Sequence, residues 1–141
     1  MLYQRVLVPV SGKHKGDRAR KVLDHALRVV EGELILLHAY AELPHLVGGE
    51  ARQELMRERE ADALNTIAPI RAMVEQAGAR YRVMVEEGPP AEVISRVATE
   101  EKCDLIVMFT DGENELVDLL LGSISERVLR MTNTPLLVIR R

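Results

Sequence analysis

Short, β-branched apolar runs alternate along this chain with longer stretches whose apolar residues recur at intervals of three and four, and this alternation constrains the fold more than any other feature. The runs occupy residues 5–10, 34–39, 80–85, 105–109 and 136–139. Consecutive apolar positions suit strands covered on both faces, and the helical stretches between them suit crossovers, so the pattern predicts an α/β chain built on a parallel sheet. The third run, Tyr81-Arg82-Val83-Met84-Val85, is more mixed and is expected at a sheet edge. Pro9 cannot donate to a ladder and is expected where the first strand ends.

The intervening stretches read as helices. Residues 17–30 place Ala19, Val22, Leu23, Ala26, Leu27 and Val30 on one stripe, with Asp17 near the start. Residues 50–76 carry Leu55, Leu64, Ile67, Ile70 and Val74, are rich in Glu and Arg on their other faces, and close at Gly78. Pro69 is expected to bend or split that helix. A third helix begins after Gly88-Pro89-Pro90 and buries Val93, Ile94, Val97 and Ala98. The last starts at Gly122-Ser123 and packs Ile124, Val128 and Leu129, with Met131 a further candidate.

Composition narrows the function classes. A chain of 141 residues fits one domain, residues 1–141, and removes roughly 70% of its extended surface from water. A net charge of -3 and an aromatic fraction of 3% give no broad positive field or stacking platform, which argues against nucleic acid as a partner. No apolar run approaches the roughly 20 residues needed to span a bilayer, and the opening goes straight into a strand pattern, so neither a membrane nor a secreted location is expected; the expectation is cytoplasmic. Cys103 stands alone, forms no intramolecular disulfide, and is expected to pack at a helix end.

In an open parallel sheet, ligands bind beyond the carboxyl ends of the strands where neighbouring crossovers diverge, so the loops there are the informative ones. Two stand out: Pro9-Val10-Ser11-Gly12-Lys13 after the first strand, and Phe109-Thr110-Asp111-Gly112 followed nine residues later by Gly122-Ser123-Ile124-Ser125. A helix starting at Gly122-Ser123 would aim amides and its positive dipole end outward, with the Ser123 and Ser125 hydroxyls beside them, as a phosphate cradle does. The plain alternative is a turn at Gly112, an unusual backbone angle at Gly122 and a helix cap at Ser123. No catalytic spacing links Ser11, Ser123, His14, His38 and Asp111, and no nucleophile elbow, phosphate loop, dinucleotide fingerprint or His-Glu-x2-His metal motif is present. The histidines His14, His25, His38 and His45 are scattered and no metal is expected; His38, at the end of the second strand near the crevice, is a second-rank candidate for ligand contact, the commoner outcome being a partly buried imidazole bonded to main chain.

The chain resembles the universal stress protein family across essentially its whole length. The resemblance is carried by Val6-Leu7-Val8-Pro9-Val10, by residues 87–94, by Asp104-Leu105-Ile106-Val107-Met108, and by residues 122–129 running into Thr134-Pro135-Leu136-Leu137-Val138-Ile139. It implies a three-layer, doubly wound, five-stranded parallel sheet in the order 3-2-1-4-5, of the adenine nucleotide α-hydrolase-like kind. It further implies a homodimer through the last strand, Leu136 to Ile139, which as an exposed edge would invite another copy of itself. ATP-binding members carry Gly-x2-Gly-x9-Gly-Ser/Thr; here Gly112, Gly122 and Ser123 match and Phe109 replaces the first glycine. The Phe109 ring either fills the site or turns into the core. Ser11 stands where those members have an aspartate near the adenosine, while Ala39 leaves room where the family contacts adenine.

Three readings remain. The first is a non-enzymatic stress-response signalling module that takes an adenine nucleotide, with Mg²⁺ if that nucleotide is ATP, at Pro9, Val10, Ser11, Ala39, Phe109, Gly112, Gly122, Ser123, Ile124 and Ser125. The second is a dimeric stress protein acting through an unidentified protein partner without nucleotide. The third is a weak nucleotide hydrolase.

Overall fold

A computed structural model of the chain describes residues 2–11, 17–110 and 123–140. Its elements follow in the order β1 (Tyr3–Pro9), α1 (Asp17–Val29), β2 (Val30–Tyr40), α2 (Gly49–Gln76), β3 (Arg80–Glu87), α3 (Pro90–Glu100), β4 (Leu105–Phe109), α4 (Ser123–Met131) and β5 (Leu136–Ile139). All pairings are parallel and the strand order is β3-β2-β1-β4-β5, which puts β3 and β5 at the edges.

The two-residue period of a strand divides the core into two layers. Val6 and Val8 of β1, Leu34 and Leu36 of β2, and Leu105, Val107 and Phe109 of β4 face α1 and α2, where Ala19, Val22, Leu23, Ala26, Ile67, Ile70 and Val74 meet them. The alternate residues Leu7, Ile35, Leu37, Ile106 and Met108 face α3 and α4, packing with Val93, Ile94, Val97, Ala98 and Val128. Both faces of β1, β2 and β4 are therefore dry, which explains their unbroken apolar runs.

Several expectations are corrected. The first helix ends at Val29, and Val30 belongs to β2, where it pairs with Tyr3; a β-branched residue opposite a waiting strand gains more from the ladder than from another helical turn. Pro69 does not split α2, which runs unbroken from Gly49 to Gln76. Both Pro69 and Asn65, whose carbonyl the proline ring leaves without a helical donor, are exposed, so water can serve that carbonyl. Leu64, Leu129 and Met131 were expected in the core but are 49%, 53% and 47% exposed. Leu64 and Leu129 each follow by one position a residue that is buried, Ala63 and Val128, and one step turns a side chain about 100° around the helix.

Helices α2 and α3 end in the same way. After α2, Gly78 (φ 73°) donates to Glu75 O and Ala79 to Val74 O; after α3, Lys102 (φ 54°) donates to Thr99 O and Cys103 to Ala98 O. This paired closure needs a left-handed residue, which glycine supplies without strain and lysine does not. Cys103 then packs in the core layer beneath α3 and α4, at the helix end where it was expected.

Candidate functional site

Strands β1 and β4 are adjacent and parallel, yet α1 packs on one face of the sheet and α4 on the other. The helices that follow them lie on opposite faces, and the fork between their carboxyl ends is the switch point at which sheets of this kind bind ligands. The fork is held from both sides. The Val10 amide donates to Leu37 O at 2.7 Å, and His38 Nδ1 lies 2.7 Å from Val10 O. Since a carbonyl only accepts, Nδ1 carries the proton, and His38 is a half-buried imidazole bonded to main chain. On the other side the Thr110 amide donates to Ile139 O at 3.0 Å, which ties the end of β4 to β5.

The sequence-predicted residues fall as follows. Pro9 and Val10 are buried at the end of β1 and Ser11 is half-buried just beyond it. Phe109 is 1% exposed and belongs to the layer under α1 and α2, so of the two alternatives the ring takes the core and does not occupy the crevice. The guanidinium of Arg18, in the first turn of α1, lies 5.4 Å from the centroid of that ring. Ser123 is exposed at the start of α4 and Ile124 packs against the opposite layer. Ser125 is fully buried, and its hydroxyl donates to Phe109 O at 3.4 Å, joining α4 to the end of β4. Ala39 is half-buried on β2 opposite Glu86 of β3. Gly12, Lys13, His14, Asp111, Gly112 and Gly122 lie outside the described residues. His25 on α1 and His45 in the loop after β2 are exposed.

The Phe109 ring is turned inward, away from the fork, and Ala39 at the end of β2 is small. The loop after β2 is tied to β3 and α2. Glu87, at the end of β3, accepts from the Leu43 amide at 2.9 Å and pairs with Arg52 of α2 at 3.7 Å. Burial, reinforced by the Glu87 carboxylate, holds the Tyr40 phenol above its ordinary pKa and therefore neutral. Arg18 was missed in the sequence, although it stands one turn before Val22 and so borders the buried stripe of α1.

A cavity of about 420 Å³ lies at the opposite edge of the sheet, lined by Gln4, Arg5, Gly32, Glu33, Arg80, Lys102 and Asp104. Its carboxylates are committed to the fold. Asp104 accepts from the amides of Gln4 (2.8 Å) and Arg5 (2.9 Å), while Glu33 pairs with Arg5 (3.0 Å) and Arg82 (3.1 Å). The contact from Arg5 Nε is Coulombic, because that atom makes no hydrogen bond despite its distance. This cavity faces the amino ends of the strands, away from the switch point, and we place the site at the fork. Among the described residues no cluster of His, Cys, Asp and Glu could hold a metal ion, and no helix is long and apolar enough to cross a membrane.

Comparison with known proteins agrees with this architecture. The family model described as the universal stress protein family matches residues 2–140. Universal stress protein MJ0531 of Methanocaldococcus jannaschii is 30% identical over 99% of this chain and 84% of its own length. The solved structure of MJ0577, from the same organism, is 27% identical with a TM-score of 0.78 and covers 100% of this chain and 98% of that one. A universal stress protein solved in complex with cAMP is 25% identical with a TM-score of 0.66, covering 99% of this chain and 98% of that one. With a match spanning nearly every residue, and the sheet order the resemblance implied, the chain belongs to the universal stress protein family.

Proposed function

We propose that this protein is a non-enzymatic stress-response signalling module of one domain, residues 1–141, that takes an adenine nucleotide at the fork formed by the loops after β1 and β4. The observation that carries the reading is the burial of Phe109. The residue standing where ATP-binding members have glycine is withdrawn into the core, so the crevice stays compatible with ligand. The complex of a 25% identical relative with cAMP supports the same ligand class. ATP is the nucleotide we propose, accompanied by Mg²⁺, with Pro9, Val10, Ser11 and Ala39 around the adenosine and Gly112, Gly122 and Ser123 on the phosphate side, where Ile124 and the buried Ser125 anchor the start of α4 from behind. The action is cytoplasmic and exerted through a protein partner that responds to the bound state.

The same reading includes a homodimer through β5. That edge strand is only half-buried over Leu136, Leu137 and Val138 and pairs only with β4 among the described residues, and Leu129 and Met131 of the preceding helix are exposed nearby in sequence, so a second copy would cover apolar surface and pair the outer edge.

The test is calorimetric titration of nucleotide-stripped protein with ATP, ADP and AMP in the presence of Mg²⁺, alongside Gly122→Asp. Saturable binding that the variant loses is the expected result, because its carboxylate would stand where phosphates sit. No binding at millimolar ligand overturns the nucleotide reading in favour of a nucleotide-independent, partner-binding dimer. Turnover of ATP above that of a Ser123→Ala control would instead favour a hydrolase.

A further inference from the structure

The fork departs from the nucleotide-binding pattern at two places, and both departures change its electrostatics in one direction. Ser11 removes a carboxylate from the loop after β1, and Phe109 puts an aromatic ring beneath the first turn of α1. The ring is 1% exposed and so touches no ligand itself. What it touches is Arg18, whose guanidinium carbon lies 5.4 Å from its centroid, inside the roughly 6 Å range of cation–π attraction. Arg18 is half-buried, and among the described residues it makes no ion pair. Its neighbour Asp17 is exposed, and adjacent residues on a helix do not face one another. A guanidinium steadied by a ring, and paired with no carboxylate among the described residues, can offer its N–H donors to an outside acceptor, and its planar fork matches phosphate oxygens two at a time.

We infer that Arg18, carried on the ring of Phe109, is the ligand-charge sensor of the fork: it makes affinity rise with the negative charge of the bound nucleotide and so selects polyphosphates over the nucleoside. The inference rests on the nucleotide reading above. In that light the exchange of glycine for phenylalanine is a platform for a cation.

The experiment is a charge ladder: affinities for adenosine, AMP, ADP and ATP in Mg²⁺-free buffer at constant ionic strength, for the wild type, Arg18→Gln and Phe109→Leu. Wild-type affinity should climb with each added phosphate. Arg18→Gln should lower the ratio of ATP to adenosine affinity by about tenfold or more, the scale of a charge-assisted hydrogen bond. Phe109→Leu, which keeps an apolar core side chain and removes the ring, should lower it by about two- to fivefold. A purely structural role for Arg18 would shift all four affinities by one common factor, and that result overturns the inference while leaving the nucleotide reading intact. If the wild type binds none of the four ligands, the nucleotide reading falls and the inference falls with it.

Discussion

Replacing Gly32 by alanine tests how tightly the β1–β2 pairing is built. Between the pairs Tyr3↔Val30 and Arg5↔Glu33, β1 advances two residues and β2 advances three, so β2 bulges there. The bulge presses Gly32 against Gln4: a Cβ at residue 32 would lie 1.9 Å from the Gln4 carbonyl oxygen and 2.9 Å from its carbon. Relief requires movement of more than an ångström, and β1 has nowhere to go. Asp104 grips the Gln4 and Arg5 amides with its carboxylate and donates its own amide to Arg5 O at 3.0 Å. Overpacking of this kind costs about 1–3 kcal/mol, and loss of one neighbouring ladder bond adds about 1 kcal/mol. The reduced freedom of the unfolded chain returns about 0.4–1 kcal/mol. The net destabilisation is about 2–3 kcal/mol, which for a chain of this length lowers Tm by roughly 7–10 °C. Thermal and urea unfolding followed by circular dichroism measure it. Gly48→Ala, where an added Cβ meets nothing within 4 Å, is the control and should move the midpoint by a small fraction of that amount. A Gly32→Ala protein within about 0.5 kcal/mol of wild type would refute the close-approach argument.

Lys102→Gly should raise stability by about 0.5–1 kcal/mol, since it removes the left-handed strain that Gly78 avoids at the matching position and gives up only a cation near a helix C-terminus; an unchanged or lower urea midpoint would contradict this. Burial pushes the Cys103 thiol up to about 11, so iodoacetamide at pH 8 should label it at least tenfold more slowly in native protein than in urea. The folded pKa lies above the unfolded value of 9.0, so the stabilisation is fully present below pH 9 and is lost as pH rises through about 11; Cys103→Ala should flatten that alkaline fall in urea midpoint. Phe109→Ala should cost about 3–5 kcal/mol, the range for emptying a buried aromatic site, whereas a surface-like loss below about 1 kcal/mol would mean that the ring is not in the core.

The sheet was legible because its strands are buried on both faces and announce themselves as apolar runs; β4 and β5 have the bounds that the runs alone suggest. The edge position of β3 was legible for the converse reason, since its Arg82 is exposed among half-buried neighbours. The start of β2 was not legible, because Val29 and Val30 fit a helical stripe equally well and only pairing with Tyr3 decides between them. Leu64 and Leu129 were misplaced because a leucine one step off a buried stripe looks like part of it until the partner helix or sheet is known. At the fork, the sequence located the loops but could not give the direction of the Phe109 side chain, which follows from the parity of β4: Leu105, Val107 and Phe109 share one face. Arg18 escaped notice because its importance depends on that direction, and the clamp of His38 on Val10 joins two strands whose adjacency no local pattern records.

The most direct test of the central claim is amide chemical-shift mapping of ¹⁵N-labelled protein titrated with ATP and Mg²⁺. The account predicts saturable shifts at Val10, Ser11, Thr110, Ser123 and Ile124, with Arg5, Arg80 and Lys102 at the opposite edge unmoved. Shifts confined to that opposite cavity, or none anywhere at millimolar ATP, would contradict it.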